Sequence, residues 1–173
     1  MKKIVPVFIL TLLLCSKMMI AQSQFETLSE RPGEKTLKGI ISKEVLLADP
    51  SFTWYAENLK GYTPNAKAIE GLKLQADSIE FITFMGTWCE DSHFIIPKFY
   101  ALLGAAGFSP DRVTLIGVDR EKKTVSHLTQ ALNVTLVPTI IVMKNGKELG
   151  RVVEYGKYGL FDKELGEVLE RGE

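Results

Sequence analysis

Apolar and polar positions alternate along this chain in two rhythms that trade places several times. Ile79 to Met85 is an apolar, β-branched and aromatic run of strand type. It passes through Gly86 into a segment where Phe94, Ile95, Phe99, Leu102 and Leu103 recur at helical spacing. Val113 to Val118 reads as a second buried strand, and Thr124 to Leu132 as a helix. Two further apolar runs, Thr139 to Met143 and Glu148 to Val153, flank Lys144-Asn145-Gly146-Lys147. An Asn-Gly pair between such runs favours a tight antiparallel hairpin. Leu160 to Glu170 supplies a closing helix through Phe161, Leu165, Val168 and Leu169. Strand, helix, strand, helix, hairpin and helix is the order of an α/β domain with a mixed central sheet flanked by helices.

Upstream the pattern is helical in short pieces. Gly39-Ile40-Ile41 suits a short edge strand, and Ser42 caps a helical turn through Leu47. Pro50 opens a segment carrying Phe52, Trp54, Tyr55 and Leu59 that closes at Gly61. Pro64-Asn65 begins a third helix with Ala68, Ile69 and Leu72 on one face. The aromatic group Phe52, Trp54, Tyr55 and Tyr62 is expected to pack against the sheet rather than to form a ligand surface. Residues 22–38 are mostly polar, are broken by Arg31-Pro32-Gly33, and read as a leader before a domain spanning 39–173.

Residues 1–21 have the layout of a secretory signal peptide: Lys2 and Lys3, an apolar core from Ile4 to Cys15, then Ala21 before a polar stretch. The apolar run falls short of the ~18 to 20 residues that cross a bilayer, so no membrane span is expected. Cleavage after Ala21 gives an exported protein, periplasmic or secreted. Leu12-Leu13-Leu14-Cys15 is a competing lipoprotein box, disfavoured because Leu14 stands where a small residue is normal. The chain has 21 basic and 21 acidic residues, and cleavage removes three lysines, leaving a net charge of about −3. That gives no electrostatic reason to bind nucleic acid or an anionic membrane. Of the two cysteines, cleavage removes Cys15 and leaves Cys89 alone, so no internal disulfide is expected.

Cys89 lies where a strand hands over to a helix, and free N–H groups at a helix start favour a thiolate. Glu90 and Asp91 beside it oppose a further negative charge, and His93 one turn on helps only if protonated. The Trp88-Cys89-Glu90-Asp91-Ser92 motif, with Pro97 eight residues after the cysteine, resembles the active-site region of the thioredoxin superfamily. Val137-Pro138-Thr139 is similar to the family's cis-proline loop, and the resemblance runs in order from Ile79 to Glu170. It implies a thioredoxin-like fold with extra N-terminal helices, Cys89 as catalytic thiol, and Trp88, Ser92 and His93 around it. It further implies that Val137, Pro138 and Thr139 receive an extended substrate by strand addition.

Three positions depart from the family pattern. Ser92 replaces the second cysteine, Thr83 replaces the buried acid, and Glu90-Asp91 replaces Gly-Pro. A dithiol reaction is therefore excluded, and the expectation is monothiol disulfide exchange with thiol- or disulfide-containing proteins or small thiols. The alternative is a redox-inactive binding or assembly module. A metal site at Cys89, Glu90, Asp91 and His93 is disfavoured, because only Cys89 and His93 are good ligands for soft or borderline ions. His127 is expected at the surface, and no cofactor is expected.

Overall fold

Strand β3, Ile79–Met85, is one of the two central strands of a six-stranded mixed sheet. In this computed structural model residues 24–172 are described; the signal segment and Cys15 lie outside them. Strands β1 (Phe25–Leu28), β2 (Thr36–Ile41), β4 (Val113–Gly117), β5 (Thr139–Lys144) and β6 (Lys147–Val153) complete the sheet in the order β1-β2-β4-β3-β5-β6. β3 runs parallel to β4 and antiparallel to β5, with Phe84 opposite both Ile116 and Thr139. The β5–β6 hairpin turns at Asn145 and Gly146, both at positive φ. Two positive φ values in a two-residue turn match the strand twist, which is why Asn-Gly serves there.

Among the described residues six α-helices flank the sheet: α1 (Lys43–Ala48), α2 (Trp54–Glu57), α3 (Ala66–Leu74), α4 (Glu90–Ala106), α5 (Leu128–Ala131) and α6 (Phe161–Glu170). Alternation along β3 divides its side chains between two cores. Phe81 and Met85 face the larger, with Phe99 and Leu102 of α4, Leu72 of α3 and Leu165 of α6. Phe81 meets Phe99 and Phe108 edge-on, with ring centroids 5.2 and 5.3 Å apart. Phe84 faces the smaller core, with Ile116, Val118, Val134, Val137 and Ile141. Burying one such Phe stabilises the fold by roughly 2–3 kcal/mol before entropy is counted. Phe52 and Tyr55 are buried in the larger core and Trp54 and Tyr62 pack on it, as their spacing predicts.

Several sequence expectations change. Residues 22–38 are not wholly a leader, because Phe25–Leu28 forms β1 and Thr36 already begins β2. β2 is consequently not the sheet edge; β1 covers it. Gly39, at φ +125°, permits the approach: a Cβ there would stand 2.8 Å from the Phe25 Cα. The helix expected over Thr124 to Leu132 is broken, since Ser126 and His127 adopt positive φ and only Leu128–Ala131 is α-helical. His127 is exposed. The expected cap holds, with Ser42 accepting from the Val45 N–H, and Asn65 also caps its helix, accepting from the N–H groups of Lys67 and Ala68.

Candidate active site

The turn from β3 into α4 is short, and Gly86 makes it possible. A Cβ at Gly86 would stand 2.7 Å from the Trp88 ring, so only glycine lets the indole fold back over the strand end. Trp88 Nε1 donates to the Val118 carbonyl at 3.0 Å, and the Arg120 guanidinium lies 5.1 Å from the indole centroid. The ring is thereby held between β4 and the cysteine.

Cys89 is the N-cap of α4, with extended backbone angles, and is half-buried. Its N–H donates to the Gly86 carbonyl, and its own carbonyl accepts from the His93 N–H, both at 3.0 Å. The side chain does not cap the helix. Instead Sγ–H donates to the Val137 carbonyl at 3.3 Å. The Val137–Pro138 peptide is cis, as the resemblance implies. Cysteine, cis-proline loop and Trp88 thus converge at the same end of the sheet, the end where β3 stops and β5 starts.

The neighbours of Cys89 have settled roles. Ser92 is fully buried, and its Oγ accepts from the Gly86 N–H at 3.1 Å, satisfying an amide at the strand end. Thr139 is also buried, and its hydroxyl donates to the Leu136 carbonyl at 2.7 Å; it shapes the loop from behind. The Val137 carbonyl accepts the Cys89 thiol, so the loop and the cysteine are in direct contact. Pro97 lies inside α4 and withholds an N–H from the His93 carbonyl. Thr83, on β3, stands where the resemblance implies an acid, and its buried hydroxyl has no hydrogen-bond partner among the described residues.

His93 points away from the solvent-exposed helix face. Its Nε2–H donates to the Thr87 carbonyl at 2.8 Å, and its ring stacks on Trp54 with centroids 4.2 Å apart and planes 11° from parallel. Burial pushes its pKa below the ordinary histidine value, against the raising influence of the Thr87 carbonyl, Glu90 and Glu34. A neutral imidazole wedged between Trp54 and the active-site loop positions that loop. Among the described residues no three His, Cys, Asp or Glu side chains group as a metal site.

Sequence reasoning missed three contributors. Thr87 is buried, accepts from the Leu37 N–H at 3.0 Å and donates to the Lys35 carbonyl at 2.9 Å. That ties the loop to the start of β2. Tyr155, after β6, lies beside the site; its pKa is raised by burial first, then by Asp91 and Cys89 nearby. Leu136, next to the cis-proline peptide, is 43% exposed. Only Leu136 carried a signal, as the large apolar residue immediately before the Val-Pro pair.

A mixed sheet between helix layers, with a cysteine at the start of the helix after a central strand, defines a thioredoxin-like protein. The chain belongs to the thioredoxin family: the family model for thioredoxin matches residues 69–163. A thioredoxin from Echinococcus granulosus is 30% identical over 98 residues, covering 54% of this chain and 86% of that protein. Two solved structures each align with 74% of this chain and 82% of theirs at 16% identity. They are an HIV epitope scaffold, TM-score 0.46, and a protein of unknown function from Pseudomonas aeruginosa, TM-score 0.45.

Proposed function

We propose that the protein is an exported, monothiol member of the family that exchanges disulfides through Cys89. One observation carries the reading: a half-exposed cysteine at a helix N-terminus lies against a cis-proline loop, while the position one turn on holds a buried, engaged hydroxyl. The Cys89 thiolate attacks one sulfur of a substrate disulfide, forms a Cys89–substrate disulfide and expels the other sulfur as a thiolate. Ser92 cannot resolve this species, because a hydroxyl is not a competent nucleophile in thiol exchange. An external thiol or a second substrate cysteine attacks instead, and Cys89 leaves with the electron pair. An extended substrate segment that donates an N–H to the Val137 carbonyl displaces the Cys89 thiol from that acceptor. Substrate entry then coincides with release of the nucleophile. Trp88 and Leu136 form the rims, and His93 and Thr87 hold the loop. The export half of the proposal rests on residues 1–21.

The test uses the chain from Gln22 onward, with iodoacetamide labelling at neutral pH and capture of a disulfide-bonded peptide. Faster alkylation than a free thiol and a reducible 1:1 adduct support exchange, and Cys89→Ser should abolish both. A sulfur that does not label in the folded protein overturns it. The bond from Sγ–H to Val137 favours a second reading, a binding module in which the sulfur is simply a buried donor. In that case Cys89→Ser retains partner binding. Fractionation of cells making the full chain tests export, and an uncleaved cytoplasmic product would refute it.

A further inference from the structure

Away from Cys89, a cavity of about 600 Å³ opens between α4, the loop before α3 and the loop before α6. That volume falls in the ~300–1,000 Å³ range of small-molecule sites. Its walls include the aromatic and aliphatic side chains of Tyr62, Phe94, Tyr155 and Leu160, and its charged members are Lys98, Asp162 and the exposed Lys60. Lys98 is the unexpected one: it is only 7% exposed, on a helix whose other buried positions are apolar apart from Ser92 at its start. Its Nζ donates to the Phe94 carbonyl at 3.1 Å and lies 3.1 Å from the Phe94 ring centroid. Among the described residues no carboxylate pairs with it, and burial pushes its pKa below the usual lysine value with nothing opposing. An ammonium has three donors, and one is used.

The acid on the facing wall is already served. Asp162 Oδ2 accepts from the Tyr62 hydroxyl at 2.9 Å and from the Asn65 N–H at 3.0 Å. Buried lysines are uncommon without a partner, because desolvating the charge costs several kcal/mol that only a counter-ion offsets. At the mouth Phe94 and Leu160 are 40% and 55% exposed, giving an apolar body something to lie against.

We propose that this cavity binds a small monocarboxylic acid with an apolar body, its carboxylate on Lys98 and its body against Phe94, Tyr155 and Leu160. Of the two lining lysines Lys60 is exposed to water and Lys98 is buried, so one desolvated cation suits one carboxylate, and the Asp162 charge disfavours a second. Inorganic phosphate would leave the apolar walls uncovered. Cys89 does not line the cavity; Tyr155, which lies near the thiol, does, with its ring centroid 5.4 Å from that of Phe94.

The test titrates 3-phenylpropionate and octanoate into the chain from Gln22 onward, with 3-phenylpropanol as neutral counterpart, by ligand-observed nuclear magnetic resonance and calorimetry. The aryl acid should bind at least about tenfold tighter than the alcohol. Lys98→Met, which keeps the apolar stem, should bring that ratio to about one. Leu160→Asp, at the exposed mouth, keeps the interior packing and should weaken both acids, which preserves the test if Lys98→Met does not fold. Equal affinity for acid and alcohol, no saturable binding of either acid at millimolar concentration, or unchanged acid binding by Leu160→Asp would overturn the proposal. A peptide ending in Leu-Phe and its C-terminal amide form a second arm. Binding of the free peptide without binding of either acid would also overturn it and would make the site a reader of chain ends.

Discussion

The two rims of Cys89 are built in opposite ways. On the cis-proline side, Thr139 bonds back to Leu136, the Pro138 carbonyl accepts from the Glu154 N–H and the Val137 carbonyl from Cys89, all within residues 69–163, and Leu136 is left exposed. The Trp88 side is fastened by residues far away in sequence: Lys35 and Leu37 through Thr87, Trp54 through His93, and Glu34 through Arg120. Those fasteners lie outside residues 69–163, the part of the chain that matches the family. One rim therefore leaves an apolar side chain exposed, while residues N-terminal to the family match fasten the other.

The hardest way to break this asymmetry is Thr87→Val. It strands the buried Leu37 N–H and Lys35 carbonyl, each costing about 1–3 kcal/mol, so a loss of about 3 kcal/mol is expected in the denaturant midpoint. Trp54→Ala comes next. Its ring is half-buried, so the cost should be about 2 kcal/mol, below the ~3–5 of a fully buried aromatic. It should also alter the chemical shifts of His93 and the Cys89 loop.

His93 sharpens the comparison through pH. Because its folded pKa is lowered, mainly by burial, the unfolded chain takes up the proton first. The stability contribution is complete above the unfolded value of ~6.5 and declines as pH falls below it toward the folded value. Unfolding midpoints followed from pH 8 to 5 should therefore slope less in His93→Gln than in the parent. Arg120→Ala should have the smallest effect on stability, about 0.5 kcal/mol, since its ion pair with Glu34 at 2.5 Å is partly solvated. Fluorescence of Trp88 should nonetheless report a looser ring. If Arg120→Ala costs more than Thr87→Val, the ranking of the fasteners is wrong.

Much of this was legible in the chain because β3, its helix and the hairpin are local patterns. β3 begins and ends where its apolar run does, at Ile79 and Met85, and the Asn-Gly turn fell where expected. The resemblance singled out Cys89, Trp88 and Pro138, which the fold brings together. What was not legible depended on distant partners. Phe25–Leu28 has no strand pattern of its own and becomes β1 by pairing with β2 across Gly39. The Trp54–His93 stack joins positions that no spacing rule connects. Lys98 sits among apolar neighbours where a lysine reads as a solvent-facing residue, and only the walls from residues 60–65 and 155–162 enclose it.

The bond from Ser92 to the Gly86 amide bears on which residue position 92 accepts. Placing a sulfur at position 92 looks like a one-step route to a dithiol site. Yet a thiol is a weak acceptor, so the same substitution would orphan a buried amide at the strand terminus. The scaffold thus resists Ser92→Cys taken alone: a second thiol becomes compatible with this turn only alongside a further change that satisfies the Gly86 amide.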